Sequence, residues 1–149
     1  MESANELYRE IVEQAPDGVI VASIEGTILL WNDRAEVIFG YSRQEVVGQS
    51  LDVIIPVELR KAHWEGFNRA ISEGRTKSSG QAMITKSFQK TGNKIYVDLS
   101  FAVLKNPRGE VVGALAIARD ATERYTEEKS QRAELNKLRK QFRSDDDAG

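Results

Sequence analysis

Residues 94–104, KIYVDLSFAVL, carry the plainest structural signal in the chain, because Ile95, Val97, Leu99, Phe101 and Val103 alternate with Tyr96, Asp98 and Ser100. Successive side chains of a strand point to opposite faces, so this period of two marks a strand with one face buried. Turn residues flank it on both sides, Thr91-Gly92-Asn93 before and Asn106-Pro107-Arg108-Gly109 after. Beyond those turns, 80–90 and 111–119 read as two further strands joined to it by hairpins. Towards the N-terminus, 19–22 and 27–31 are apolar runs rich in β-branched residues, separated by the hairpin signature Ser23-Ile24-Glu25-Gly26. Five strands in this arrangement predict an α+β domain, a five-stranded antiparallel sheet with helices inserted between the second and third strands.

The inserted segment carries its own helix signals. Asn32 or Asp33 can cap a helix running to Phe39, and Gly40 suits the left-handed residue that ends one. Ser42 and Glu45 have capping-box spacing at the start of another short helix. Pro56 fits a first helical turn, and from there Leu59, Ala62, His63, Gly66, Phe67 and Ala70 fall on one stripe of a longer helix ending near Glu73-Gly74. This longer helix is expected on one face of the sheet.

Helices also flank the sheet. Leu7, Ile11 and Val12 predict a short amphipathic helix over 5–14, followed by a turn at Ala15-Pro16-Asp17-Gly18. Asp120, with Glu123 three residues on, can cap a last helix. Its body, 122–142, is dominated by charge, with Leu135, Leu138 and Phe142 as a thin seam. It reads either as a dimerising or relay helix or as a solvated helix that frays. Residues 144–149 read as a disordered tail. The divisions are thus 1–15 for the N-terminal helix, 16–122 for the domain, and 123–149 for the charged helix and tail.

Composition narrows the function. With 149 residues the chain can bury one real core, and a formal charge of −2 lacks the basic footprint of a nucleic-acid binder. There is no cysteine, which removes disulfides, thiolate metal sites and thiol nucleophiles. The polar start and the shortness of every apolar run predict neither signal peptide nor membrane span, hence a cytoplasmic location without membrane partners. One histidine makes no Ser-His-Asp set by itself, and no phosphate-cradling glycine pattern occurs, so any chemistry would have to come from a cofactor.

The order of strand pair, short helices, long helix and three strands resembles a PAS domain over roughly residues 5–125. The resemblance rests on PDGVIVASIEGTILLWNDRAEVIFGYSRQEVVGQS at 16–50, TGNKIYVDLSFAVLKNPRGEVVGALAIARDATER at 91–124, and the alternation between them. It implies a cavity with a signalling surface, which in that family holds a heme, a flavin or a small metabolite, or only dimerises. The flavin photoreceptor branch uses a cysteine that this chain lacks, so flavin ranks behind heme b as the implied cofactor.

His63 lies on the apolar stripe, where burying an imidazole without a partner is costly. It either bonds a backbone carbonyl or binds iron, with Gly66 removing bulk one turn on where a flat ring would lie. The stretch IIPVELRKAHWEGFNRAISEG is similar to the corresponding helix of heme-binding PAS oxygen sensors of the FixL class. That similarity implies His63 as the proximal iron ligand and Arg69 on a heme propionate, although Arg69 also reads as a surface charge; Phe67, on the same stripe, reads as a core or cavity residue. Where those sensors carry an oxygen-contacting arginine, this chain has Met83. A methionine there is core filler or, as in His/Met-ligated heme PAS sensors, a sixth iron ligand. On the last strand Ala114, Ala116 and Ala118 share one parity, leaving room over the iron or allowing close packing against a helix. Trp31, Trp64, Phe88, Tyr96 and Phe101 read as core or cavity residues.

Two functions follow. The first is a gas or redox sensor with a small diatomic ligand at a heme iron, dimeric, passing its signal from Asp120 onward to a separate output protein, unless the sequence is a fragment of a longer one. The second is a heme-dependent PAS enzyme resembling N-nitroglycine lyase, acting on a small molecule whose carboxylate Arg69 would orient. A cofactor-free dimerisation module is the further alternative.

Overall fold

A computed structural model describes residues 3–77 and 81–148 of the chain. Five strands form one antiparallel sheet: β1 (Gly18–Ala22), β2 (Ile28–Trp31), β3 (Met83–Phe88), β4 (Lys94–Lys105) and β5 (Val111–Asp120). Their order across the sheet is β2-β1-β5-β4-β3, so the first hairpin docks against the last strand and β3 forms an edge. The third strand begins later than the 80–90 reading; Gly80 lies outside the described residues, and 81–82 precede the ladder.

Register sorts the side chains into two faces. Gly18, Ala118, Leu99 and Met83 form one row across the sheet, and Ile20, Ala116 and Phe101 form the next. This inner face is covered by α2 (Asp33–Phe39), α3 (Arg43–Val46) and single 3₁₀ turns at Leu51–Ile54 and Val57–Leu59. The core assembles there from Ile20, Ile28, Trp31, Ala35, Ile38, Phe39, Val46, Ile54, Ile95, Val97 and Ala118. Removing these apolar groups from water is the main drive for folding, worth roughly 1.5–3 kcal/mol per large side chain. The Trp31 indole satisfies its own polar atom by donating to the Tyr41 carbonyl at 3.1 Å.

The helix ends follow the chemistry of their sequences. Gly40 closes α2 with φ 77°, a left-handed conformation that costs glycine nothing. Ser42 and Glu45 close a capping box at α3. Asn32 caps α2, and its reach is wider than a cap. Its Oδ1 accepts from Ala35 at 3.0 Å and from Val19 at 2.8 Å, while its Nδ2 donates to the carbonyls of Val12 and Asp17. One fully buried side chain thereby fastens the end of α1 (Ala4–Glu13), the turn after it, β1 and α2. Arg43 adds ion pairs to Glu13, Asp33 and Glu36 around the same junction.

The last helix, α5 (Thr122–Ala148), differs from expectation at both ends. At its start Asp120 serves Thr122, accepting from its backbone and from its hydroxyl, in place of a pairing with Glu123. At its end the residues expected to be disordered continue the helix through Ala148, because no glycine or proline lies between Thr122 and Ala148 to interrupt the ladder. Leu135, Leu138 and Phe142 are all exposed on it.

Candidate functional site

The long helix α4 (Arg60–Glu73) stands over the inner face but has no fully buried residue. Along the stripe expected from sequence, His63, Phe67 and Ala70 are half-buried, whereas Ala62 and Gly66 face solvent. The covered edge is rotated towards Trp64, and the reason is a polar one. The indole Nε1 of Trp64 donates to Asp52 Oδ1 at 2.8 Å, which draws the ring towards the 3₁₀ turn. Arg60 reinforces that approach by donating to the Ile55 carbonyl at 3.1 Å and the Asp52 carbonyl at 3.2 Å.

The tip of the Trp64 ring rests on Gly26 in the β1–β2 turn. A Cβ built on Gly26 would lie 2.2 Å from Trp64 Cη2, and Gly26 has φ 86°, so both space and backbone require glycine. Trp64 therefore spans from the helix to the first hairpin.

His63 sits inside an aromatic cluster. Its ring meets Trp64 edge-on at 4.7 Å between centroids and Phe67 at 6.0 Å, while Trp64 and Phe67 lie 5.3 Å apart. Burial pushes the imidazole pKa below its ordinary value, with the Asp52 charge acting in the opposite sense. The neutral imidazole this favours has one nitrogen free to bind a metal. His63 Nδ1 is, among the described residues, the buried side-chain polar atom left without a hydrogen-bond partner.

The other residues singled out from sequence fall as follows. Gly66 faces solvent and not the sheet, which is why a Cβ there would meet nothing within 4 Å, so it does not clear the space for a flat ring that the stripe predicts. Met83 lies on the edge strand opposite Leu99, on the inner-face row, and is 54% exposed. Ala116 is half-buried beside Phe101, while Ala118 is fully buried in the core and so packs closely, as one of the two readings of that parity expected. Arg69 is exposed on α4. A separate groove of about 480 Å³ lies between α2 and the ends of β1 and β5, and none of its lining residues belongs to α4.

Sequence reasoning took Trp64 only as a core or cavity residue and missed Asp52. Their bond joins positions 12 apart on different elements, which no local periodicity reports.

Residues 6–121 match the family model described as the PAS fold, and the chain belongs to that family. It is 30% identical over 120 residues to the oxygen sensor protein DosP of Escherichia coli (strain K12), covering 80% of this chain and 15% of DosP. It is 28% identical over 98 residues to the sensor protein FixL of Bradyrhizobium diazoefficiens, covering 66% of this chain and 19% of FixL. The chain thus spans less than a fifth of the length of either relative. Among solved structures, a PAS domain of a protein from Colwellia psychrerythraea shares the fold with a TM-score of 0.71 at 20% identity, over 81% of this chain and 99% of that one. Among the described residues no helix is long and apolar enough to cross a membrane.

Proposed function

We propose that this PAS domain binds heme b with His63 as the axial ligand and serves as a gas or redox sensor. The observation that carries the reading is the buried, unpartnered Nδ1 of an imidazole held neutral on the helix that faces the sheet. Leaving such an atom unpaired is costly, and a functional ligand is one way to account for it. Among the described residues no group of three or more His, Cys, Asp or Glu comes together. A metal at His63 must therefore bring most of its ligands with it, as an iron porphyrin does.

The residues present fit such a group. His63 offers a neutral imidazole, and half-buried Phe67, Ala116 and Phe101 offer apolar surface on α4 and the inner face of the sheet, whereas Gly66 faces solvent and lies outside that surface. Met83 lies on the inner-face row of the edge strand and is the candidate for the opposite axial position. Arg69, on the solvent side of α4, is the candidate for a propionate. When bound, the iron supplies reversible binding of a diatomic ligand or of an electron.

Sensing is favoured by the relatives, one named an oxygen sensor and the other a sensor protein. The same reading includes a cytoplasmic homodimer that passes its state through α5 to an output module. The test is reconstitution with heme and absorption spectroscopy of wild type and His63→Ala. Stoichiometric uptake with a sharp Soret band lost in His63→Ala is expected. Failure of the wild type to take up heme would overturn the reading and leave a cofactor-free PAS module.

A further inference from the structure

We propose that Trp64, hydrogen-bonded to Asp52 and seated on Gly26, is the positioning residue of the His63 site: it fixes the rotation of α4 and hence the direction in which the imidazole faces the sheet. This deepens the heme reading, but the orientation of the imidazole exists with or without a bound group.

Apart from the hydrogen bonds of Arg60 in its first turn, little else fixes α4 against rolling. The helix has no buried residue, and no side chain caps its N-terminus. A helix lying loosely on a sheet is free to roll about its axis, and rolling swings every side chain through an arc. Trp64 is next in sequence to His63, so the two are about 100° apart around the helix. A polar and steric lock on one fixes the azimuth of the other. The lock has two parts that act at different points of the same ring. Asp52 holds the indole nitrogen at 2.8 Å, and Gly26 stops the far edge of the six-membered ring. The edge of the indole also braces the imidazole at 4.7 Å.

Asp52 is itself fixed. Its backbone nitrogen donates to Ser50 Oγ at 3.1 Å, and its carbonyl accepts from Arg60. The chain from Ser50 to Trp64 thus closes on rigid backbone at one end and on the imidazole at the other. Outer partners that orient a metal-ligating histidine are commonly worth 10–100-fold in metal affinity, or about that order here.

The experiment uses the full chain, in which His63 is the sole histidine and gives a single set of imidazole NMR signals. Trp64→Phe removes the indole donor and keeps an aromatic ring; Asp52→Ala removes the acceptor; Asp52→Asn keeps an oxygen acceptor and discards the charge. In the protein without heme, Trp64→Phe and Asp52→Ala should shift and broaden the His63 signals, and Asp52→Asn should leave them near the wild-type pattern. With heme added, the first two should bind about tenfold more weakly and show a mixed ligand field, with Asp52→Asn restoring a single one. Wild-type imidazole signals in both Trp64→Phe and Asp52→Ala would overturn the proposal. An Asp52→Asn protein that behaves like Asp52→Ala would also overturn it, by assigning the effect to charge. Absence of heme uptake by the wild type would sink the heme reading alone, since the NMR arm still decides the positioning role.

Discussion

Tyr125, in the first turn of α5, stacks on Tyr96 of β4 with ring centroids 3.9 Å apart and planes 26° from parallel. Tyr96 belongs to the outer parity of β4, so the stack places the root of α5 on the side of the sheet away from α4. The joint is reinforced by backbone, since Tyr96 donates to Thr122 Oγ1 at 3.0 Å and accepts from the Ala121 nitrogen at 2.8 Å. Arg124 and Asp98 add an ion pair at 2.6 Å.

Loss of that stack should loosen the helix without unfolding the sheet. An aromatic pair is worth about 1 kcal/mol beyond its buried area, so Tyr125→Ala should speed amide exchange across 122–130 by about fivefold. Exchange in β4 and β5 should stay slow. Uniform acceleration across the domain would show that the stack supports the whole fold.

Asn32 is costly to lose, because four hydrogen bonds meet on its one buried side chain. Its removal strands buried groups on α1, the following turn, β1 and α2, so Asn32→Ala should destabilise by about 3 kcal/mol. Asn32→Asp should fare no better, because a carboxylate would face the Val12 and Asp17 carbonyls with no proton to donate. Urea unfolding would report this as a lower midpoint at unchanged slope.

The His63 imidazole gives a pH dependence whose sign is fixed by its environment. Burial lowers its pKa in the folded protein below the ordinary 6.5, with Asp52 opposing. Between the two values the unfolded chain binds one proton more, so stability rises with pH there. The contribution is complete above about pH 6.5 and is lost as pH falls through the folded-state pKa. The urea midpoint of wild type should drop more steeply over that acid window than that of His63→Gln. Parallel curves would mean that His63 titrates as in the unfolded chain.

Met83 makes a spectroscopic prediction that follows from the heme reading. With Met83 on the iron, ferrous protein is low-spin, and Met83→Ala should convert it to high-spin and quicken binding of carbon monoxide. Identical ferrous spectra in the two proteins would remove Met83 from the axial position and leave its half-exposed thioether as a surface group.

Much of this architecture is legible in the sequence because it is written in local patterns. The alternation of Ile95, Val97 and Leu99 gives β4 its faces, Gly40 stops α2, and Ser42 with Glu45 starts α3. His63 on α4 is legible for the same reason, as one member of a helical stripe. What is not legible depends on groups distant in the chain. The sequence of α4 does not say that Asp52 will turn Trp64 inward and roll the stripe, nor that Asn32 will reach back 20 residues to Val12. Ala118 could be judged only once its row was known, because close packing and open space demand the same small side chain.

The pleat of β4 has one more consequence. Val97 and Leu99 look towards the core, and Tyr96 and Asp98 look towards α5, so a single strand serves two clients at alternate residues. One residue inserted between Ile95 and Tyr96 would exchange those clients, sending tyrosine inward and valine outward. The strand therefore has a phase, as a reading frame does, and evolution can lengthen the exposed turn at 91–93 far more freely than the strand beside it.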